Sequence, residues 1–191
     1  MKKLGQIRSM RSRDVTAIAF NAASYAIFGT ITYFGITVWG VKFWPAVAIP
    51  AFFSVVFGPQ VGGVGAAIGI FISDLITHGD PLLSLLVGVT SNFLGIYIIG
   101  YMARKGGFSW RKYITGAILG LAVGSFMIGV GVWGYSYLYG LPKVLGGMRN
   151  METTVILSIT LWTFLSEIPF LLTITPALIH AVRLVRPELV E

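Results

Sequence analysis

Cysteine is absent from all 191 residues, which removes disulfide frameworks, thiolate metal sites and cysteine nucleophiles together. Charge is scarce: 11% of the residues are charged, against roughly 25% in ordinary soluble domains. A water-soluble surface is hard to build from so little. Histidine occurs twice, which leaves little material for a metal site. Enzyme signatures are missing as well, with no H-E-x-x-H, P-loop or G-x-S-x-G stretch in the chain. No catalytic activity, cofactor or resident metal is expected, and without an ATP-binding segment any energy from ATP must come from a partner.

What the chain does have is apolar length. It is 55% hydrophobic with a mean hydropathy of +0.82, more than a chain this short can hide from water. Lipid is the solvent that fits. The expected fold is an all-α integral membrane protein, a compact bundle of six transmembrane helices forming a single domain over 1–191. The apolar runs place helix 1 at about Val15 to Phe34, helix 2 at Trp44 to Phe57, helix 3 at Val61 to Thr77, helix 4 at Pro81 to Ala103, helix 5 at Ile114 to Leu138 and helix 6 at Thr153 to Val182. A span needs roughly 20 apolar residues. Helix 2 falls short and carries Pro45 and Pro50, so a re-entrant hairpin from Trp44 to Thr77 stands beside two full spans.

Orientation follows from lysine and arginine. A cytoplasmic N-terminus puts Lys2, Lys3, Arg8, Arg11, Arg13, Arg104, Lys105, Arg111, Lys112, Arg183 and Arg186 inside, and Lys42, Lys143 and Arg149 outside. That bias predicts both termini in the cytoplasm of a cell-membrane protein, with 1–13 as a basic segment and 183–191 as a tail. The positive charges flank spans at one surface, so no nucleic-acid partner is expected. The first apolar run is too long for a typical signal-peptide core and reads as a retained helix.

Small residues four apart let helices approach closely in lipid. Gly116, Gly120 and Gly124 form such a ladder on helix 5, and Gly62 with Ala66 and Gly65 with Gly69 do so on helix 3. Packing within the bundle is the reading for both. Helix 1 carries two adjacent ladders, Ala19 with Ala23 and Ala22 with Ala26, either of which could serve as a docking face for another subunit.

Polar groups within the spans are few. Glu167 sits some 14 residues into helix 6, roughly 21 Å along it, where a carboxylate is costly and needs a partner. A structural hydrogen bond and a role in binding a ligand or ion both stand. Asn92 is its partner by depth, on a stripe of Ser84, Gly88 and Asn92 that Ser91 and Gly95 broaden; such a stripe faces a cavity or another helix. Aromatics gather at the outer ends, with Trp133, Tyr135, Tyr137 and Tyr139 on helix 5 and Trp39, Phe43 and Trp44 at the first outer loop. An interfacial belt explains them, yet Trp162 lies deeper, and aromatic walls over a few polar groups suit a flat, partly apolar ligand. Asp74, His78 and Asp80 cluster at the end of helix 3, where capping and interfacial solvation explain them better than metal binding.

The opening Ser12-Arg13-Asp14 before an alanine-rich first helix resembles the substrate-binding S components of energy-coupling-factor (ECF) vitamin transporters. So do Phe57-Gly58-Pro59-Gln60-Val61-Gly62-Gly63 between helices 2 and 3 and the later Ile72-Ser73-Asp74-Leu75. Size, helix count and expected topology match over nearly the whole chain. The resemblance implies capture of a vitamin or related micronutrient from outside, followed by toppling in the membrane against a T component driven by two cytoplasmic ATPases. It implies docking through Ala19, Ala22, Ala23 or Ala26, and a ligand in the outer half near Trp39, Asn92, Trp133, Tyr135, Tyr137, Trp162, Thr163 and Glu167. The alternatives are a structural membrane subunit of the rod-shape-determining type and a stand-alone small transporter or channel.

Overall fold

A computed structural model describes residues 11–32 and 34–190; Lys2, Lys3 and Arg8 of the orientation argument lie outside the described residues. The chain runs α1 (Ser12–Thr32), β1 (Thr37–Val38), β2 (Val41–Lys42), α2 (Ala48–Phe57), α3 (Pro59–Thr77), α4 (Pro81–Arg104), α5 (Trp110–Leu138) and α6 (Thr154–Val185). Among the described residues, six helices stand where six apolar runs predict them. Five are long and apolar enough to cross a membrane. The sixth, α2 with the 3-10 turn before it, runs from Pro45 to Phe57, roughly 20 Å at helical rise and short of a hydrocarbon core about 30 Å thick. It serves as filling: Ala51 and Val55 have no exposed surface.

Two boundaries shift for local reasons. α1 starts at Ser12 rather than Val15 because the Asp14 carboxylate reaches back to accept from the Arg11 N–H at 3.1 Å, the reciprocal contact of a capping box. α2 ends at Gly58, whose φ of +115° suits glycine, and Pro59 then opens α3 at a position where its missing N–H costs nothing. A short hairpin stands beside the helices. Thr37 pairs with Lys42 and Val38 with Val41, joined by Trp39 and Gly40 at φ +52° and +80°. Positive φ at both loop residues matches the twist of a tight hairpin, although Trp39 is not a usual choice there.

The helices interlock through absent side chains. A Cβ on Gly95 of α4 would lie 2.9 Å from the Gly120 carbonyl oxygen of α5, and one on Gly116 would lie 3.1 Å from that of Ile99. The helix 5 glycine ladder therefore faces α4, as close packing in lipid requires. On α3, a Cβ at Gly69 would meet the Ala22 carbonyl oxygen at 2.8 Å. Asn21 reinforces this contact by donating to the carbonyls of Val61 and Gly62 at 3.3 and 3.1 Å. Outward faces stay apolar, as at the exposed Leu161, Leu165 and Leu172 of α6.

Candidate functional site

The hairpin is fastened to the end of the bundle. Trp162 of α6 donates its indole N–H to the Val41 carbonyl at 3.1 Å, and Gly40 lies close enough to Leu145 for a Cβ there to meet it at 3.3 Å. Between this hairpin, the loop after α5 and the helices lies a cavity of about 100 Å³, open at its mouth. Trp39, Trp44 and Tyr25 supply aromatic walls, Leu83, Val87 and Val132 aliphatic ones, and Lys42, Asp74, His78, Asn92 and Glu167 the polar groups.

Asp74 is heavily engaged. The Ser84 hydroxyl donates to its Oδ2 at 2.7 Å, while the Lys42 ammonium and His78 Nε2 stand 3.9 and 3.6 Å from its Oδ1. Lys42 also donates to the Thr77 hydroxyl at 2.9 Å and lies over the Trp44 ring, 4.6 Å from its centroid, a cation–π geometry. Burial pushes the Lys42 ammonium down from its ordinary value, and Asp74 offsets part of that. Gly88 makes room for this cluster: a Cβ there would lie 2.6 Å from Asp74 Oδ2. Gly88 belongs to a π-helical segment at Ser84–Val89, a distortion common at functional sites. Asn92 bridges helices and also lines the cavity, accepting from the Tyr25 hydroxyl while its amide donates to the Gly88 carbonyl at 2.9 Å.

Glu167 differs from Asp74. It is only 8% exposed, and no hydrogen bond or ion pair joins it to another of the described residues. It lines both the main cavity and a second, smaller chamber of about 30 Å³, whose walls share Asn92 and Ile128 and add Ser125 and Thr163.

Of the residues singled out from sequence, Trp39, Asn92 and Glu167 line the main cavity and Thr163 the inner chamber. Trp133, Tyr135, Tyr137 and Trp162 lie outside both linings. On α5 the cavity takes Ile128 and Val132, and residue 133 is turned roughly 100° away from residue 132 by helix geometry. Tyr135 donates its hydroxyl to Asp80 at 2.7 Å; Tyr137 is 53% exposed; Trp162 holds the hairpin. Tyr25, Trp44, Lys42 and Asp74 join the lining without having been assigned to it. Lys42 reads from sequence as a loop charge, because nothing local announces that the hairpin turns it inward. Asp80 caps α4, its Oδ1 accepting from the Leu82 and Leu83 N–H groups at 3.0 Å each. On α1, Ala22 and Ala26 are buried, at 4% and 5% exposure, whereas Ala19 and Ala23 are exposed in a stripe with Val15, Ile27 and Ile31.

The family model described as ECF transporter, substrate-specific component matches residues 13–179. This chain belongs to that family. As a substrate-specific component it is a multi-pass membrane protein of transport. It is similar to a UPF0397 protein of Vibrio vulnificus, 32% identical over 142 residues that cover 70% of this chain and 76% of the relative. A UPF0397 protein of Aliivibrio fischeri is 29% identical over 139 residues, covering 70% and 75%. No solved structure matches.

Proposed function

We propose that this chain is the substrate-binding subunit of an ECF-type importer, taking a vitamin or related micronutrient from outside for uptake driven by a T component and two cytoplasmic ATPases. The cavity beneath the hairpin, in a chain of this family, carries the reading: it mixes aromatic walls with a few convergent polar groups. The hairpin end then faces outward and the termini and the α4–α5 connection face the cytoplasm, in line with the lysine and arginine bias. A flat heteroaromatic compound would lie against Trp39, with Asn92 and Glu167 for polar contact and Thr163 deeper. Trp162 and Tyr135 act at one remove, by holding the hairpin and the start of α4. Trp133 and Tyr137 belong to the interfacial belt. The T component docks on the exposed Ala19 and Ala23, not on Ala22 and Ala26, which α3 already covers.

Mass spectrometry of the compound extracted from the purified protein identifies the substrate, and titration of that compound tests the site. Trp39→Ala should weaken binding by about 1–3 kcal/mol, several-fold to roughly a hundredfold, at unchanged folded fraction. Unchanged affinity in both Trp39→Ala and Asn92→Leu would move the site elsewhere. Uptake by the chain alone in proteoliposomes would favour the stand-alone transporter, and cell-shape defects on deletion the structural subunit.

A further inference from the structure

Two acidic side chains line the cavity, and only one of them has polar partners among the described residues. Asp74 has the Ser84 hydroxyl at 2.7 Å and the Lys42 ammonium at 3.9 Å. Glu167 is 92% buried by its 8% exposure, in a span, without a hydrogen-bond or ion-pair partner among the described residues. A carboxylate in that setting is costly unless something meets it. Two further groups point the same way: the hydroxyls of Thr163 and Ser125, 1% and 0% exposed, have no hydrogen-bond partner among the described residues. Both line the inner chamber that Glu167 shares. Buried polar groups are nearly always satisfied, and here three residues with unpaired polar groups border one chamber.

We infer that the cavity is built for a flat heteroaromatic ligand carrying a cationic amino or amidinium-type nitrogen, whose N–H groups reach Glu167 and the Thr163 and Ser125 hydroxyls while its ring lies toward Trp39 and Trp44. This rests on the cavity being the substrate site. It specifies the end of the ligand that enters first and the charge that end bears. The aromatic walls favour a flat cation twice, by stacking and by the ring quadrupole. At the inner end an anionic ligand would find no cationic side chain among the described residues.

The test uses the purified full-length chain in detergent, emptied of copurified compound, and three probes of one shape. 4-Aminoquinoline is a cation at neutral pH, quinoline is uncharged, and quinoline-4-carboxylate is an anion. Calorimetry should find the amine bound about tenfold or more tighter than quinoline, and the carboxylate weakest, because a charge-assisted hydrogen bond is made only by the first. Glu167→Gln, which keeps the shape, should cost the amine about tenfold and leave quinoline nearly unchanged. Thr163→Val should weaken the amine more than quinoline. Equal binding of amine and quinoline by the wild type overturns the inference, and needs no variant to fold; so does a carboxylate that binds best, an amine preference that survives Glu167→Gln, or failure of all three probes to bind. Trp39→Ala separates the two readings. If it weakens every probe while the amine shows no preference, the site stands and the charge assignment falls. If it weakens none, the cavity is not where the probes bind, and both fall.

Discussion

Gly88 and Asp80 show how single residues hold the walls of the cavity. A methyl group on Gly88 would press within 2.6 Å of Asp74 Oδ2, so Gly88→Ala should displace Asp74 and with it the contact to Lys42. Overpacking of this kind costs about 1–3 kcal/mol, and thermal unfolding in detergent measures it; an unchanged melting temperature would mean that Asp74 moves aside freely. Asp80 acts through pH. Burial alone would raise its carboxyl, but the Leu83 N–H, the Tyr135 hydroxyl, the Leu82 N–H and nearby His78 outweigh burial and hold it below its ordinary value. A depressed carboxyl contributes stability that is full above the unfolded value, about 4, and is lost as pH falls through the lower folded value. The melting temperature of the wild type should therefore drop on acidification below about pH 4. Asp80→Ala should start lower by about 1 kcal/mol and lack that step; an identical acid profile in the variant would refute the assignment.

At the scale of elements, α1 has two alanine faces with opposite fates. Their spacing in sequence is the same, so periodicity alone treats them as equivalent. Burial separates them, because the glycines of α3 and Asn21 of α1 commit the Ala22 face to the bundle. Ala22→Trp or Ala26→Trp should consequently lower folded yield, whereas Ala19→Trp or Ala23→Trp should leave ligand affinity and melting temperature near wild type and block assembly with the T component. Co-purification with tagged partner measures this. Normal assembly in a double Ala19→Trp, Ala23→Trp variant would remove docking from this stripe. The π segment in α4 is the other element that regular periodicity misses. Through it Ser84 and Gly88 meet Asp74 and Asn92 reaches Tyr25, all toward one cavity.

For the whole molecule, topology is the open prediction. Lys105→Cys and Lys143→Cys place thiols in two exposed loops of a chain with no native cysteine. With the hairpin end outward, a membrane-impermeant maleimide added to intact cells should label position 143 and spare position 105 until the membrane is opened. The reverse pattern would invert the molecule and put the cavity on the cytoplasmic side. The short α2 gives the bundle five span-length helices around a buried sixth, an arrangement that leaves room for the hairpin at one end.

Composition and hydropathy alone determine that the chain lives in lipid, where its helices lie and which of them carry glycine ladders, because these properties depend on runs of neighbouring residues. Glu167 and Asn92 stand out for the same reason: a polar group within an apolar run costs free energy wherever the run goes. The cavity itself is a tertiary product. Tyr25, Lys42, Asp74 and Glu167 come from α1, the hairpin, α3 and α6, and no local pattern reports that they share one space. The outer aromatics illustrate the limit from the other side. Trp133 and Val132 are neighbours in sequence, but helical rotation gives Val132 the cavity and leaves Trp133 outside its lining. The choice between the two ladders of α1 also waits on the fold, since which small face is free depends on which one the rest of the chain has already covered.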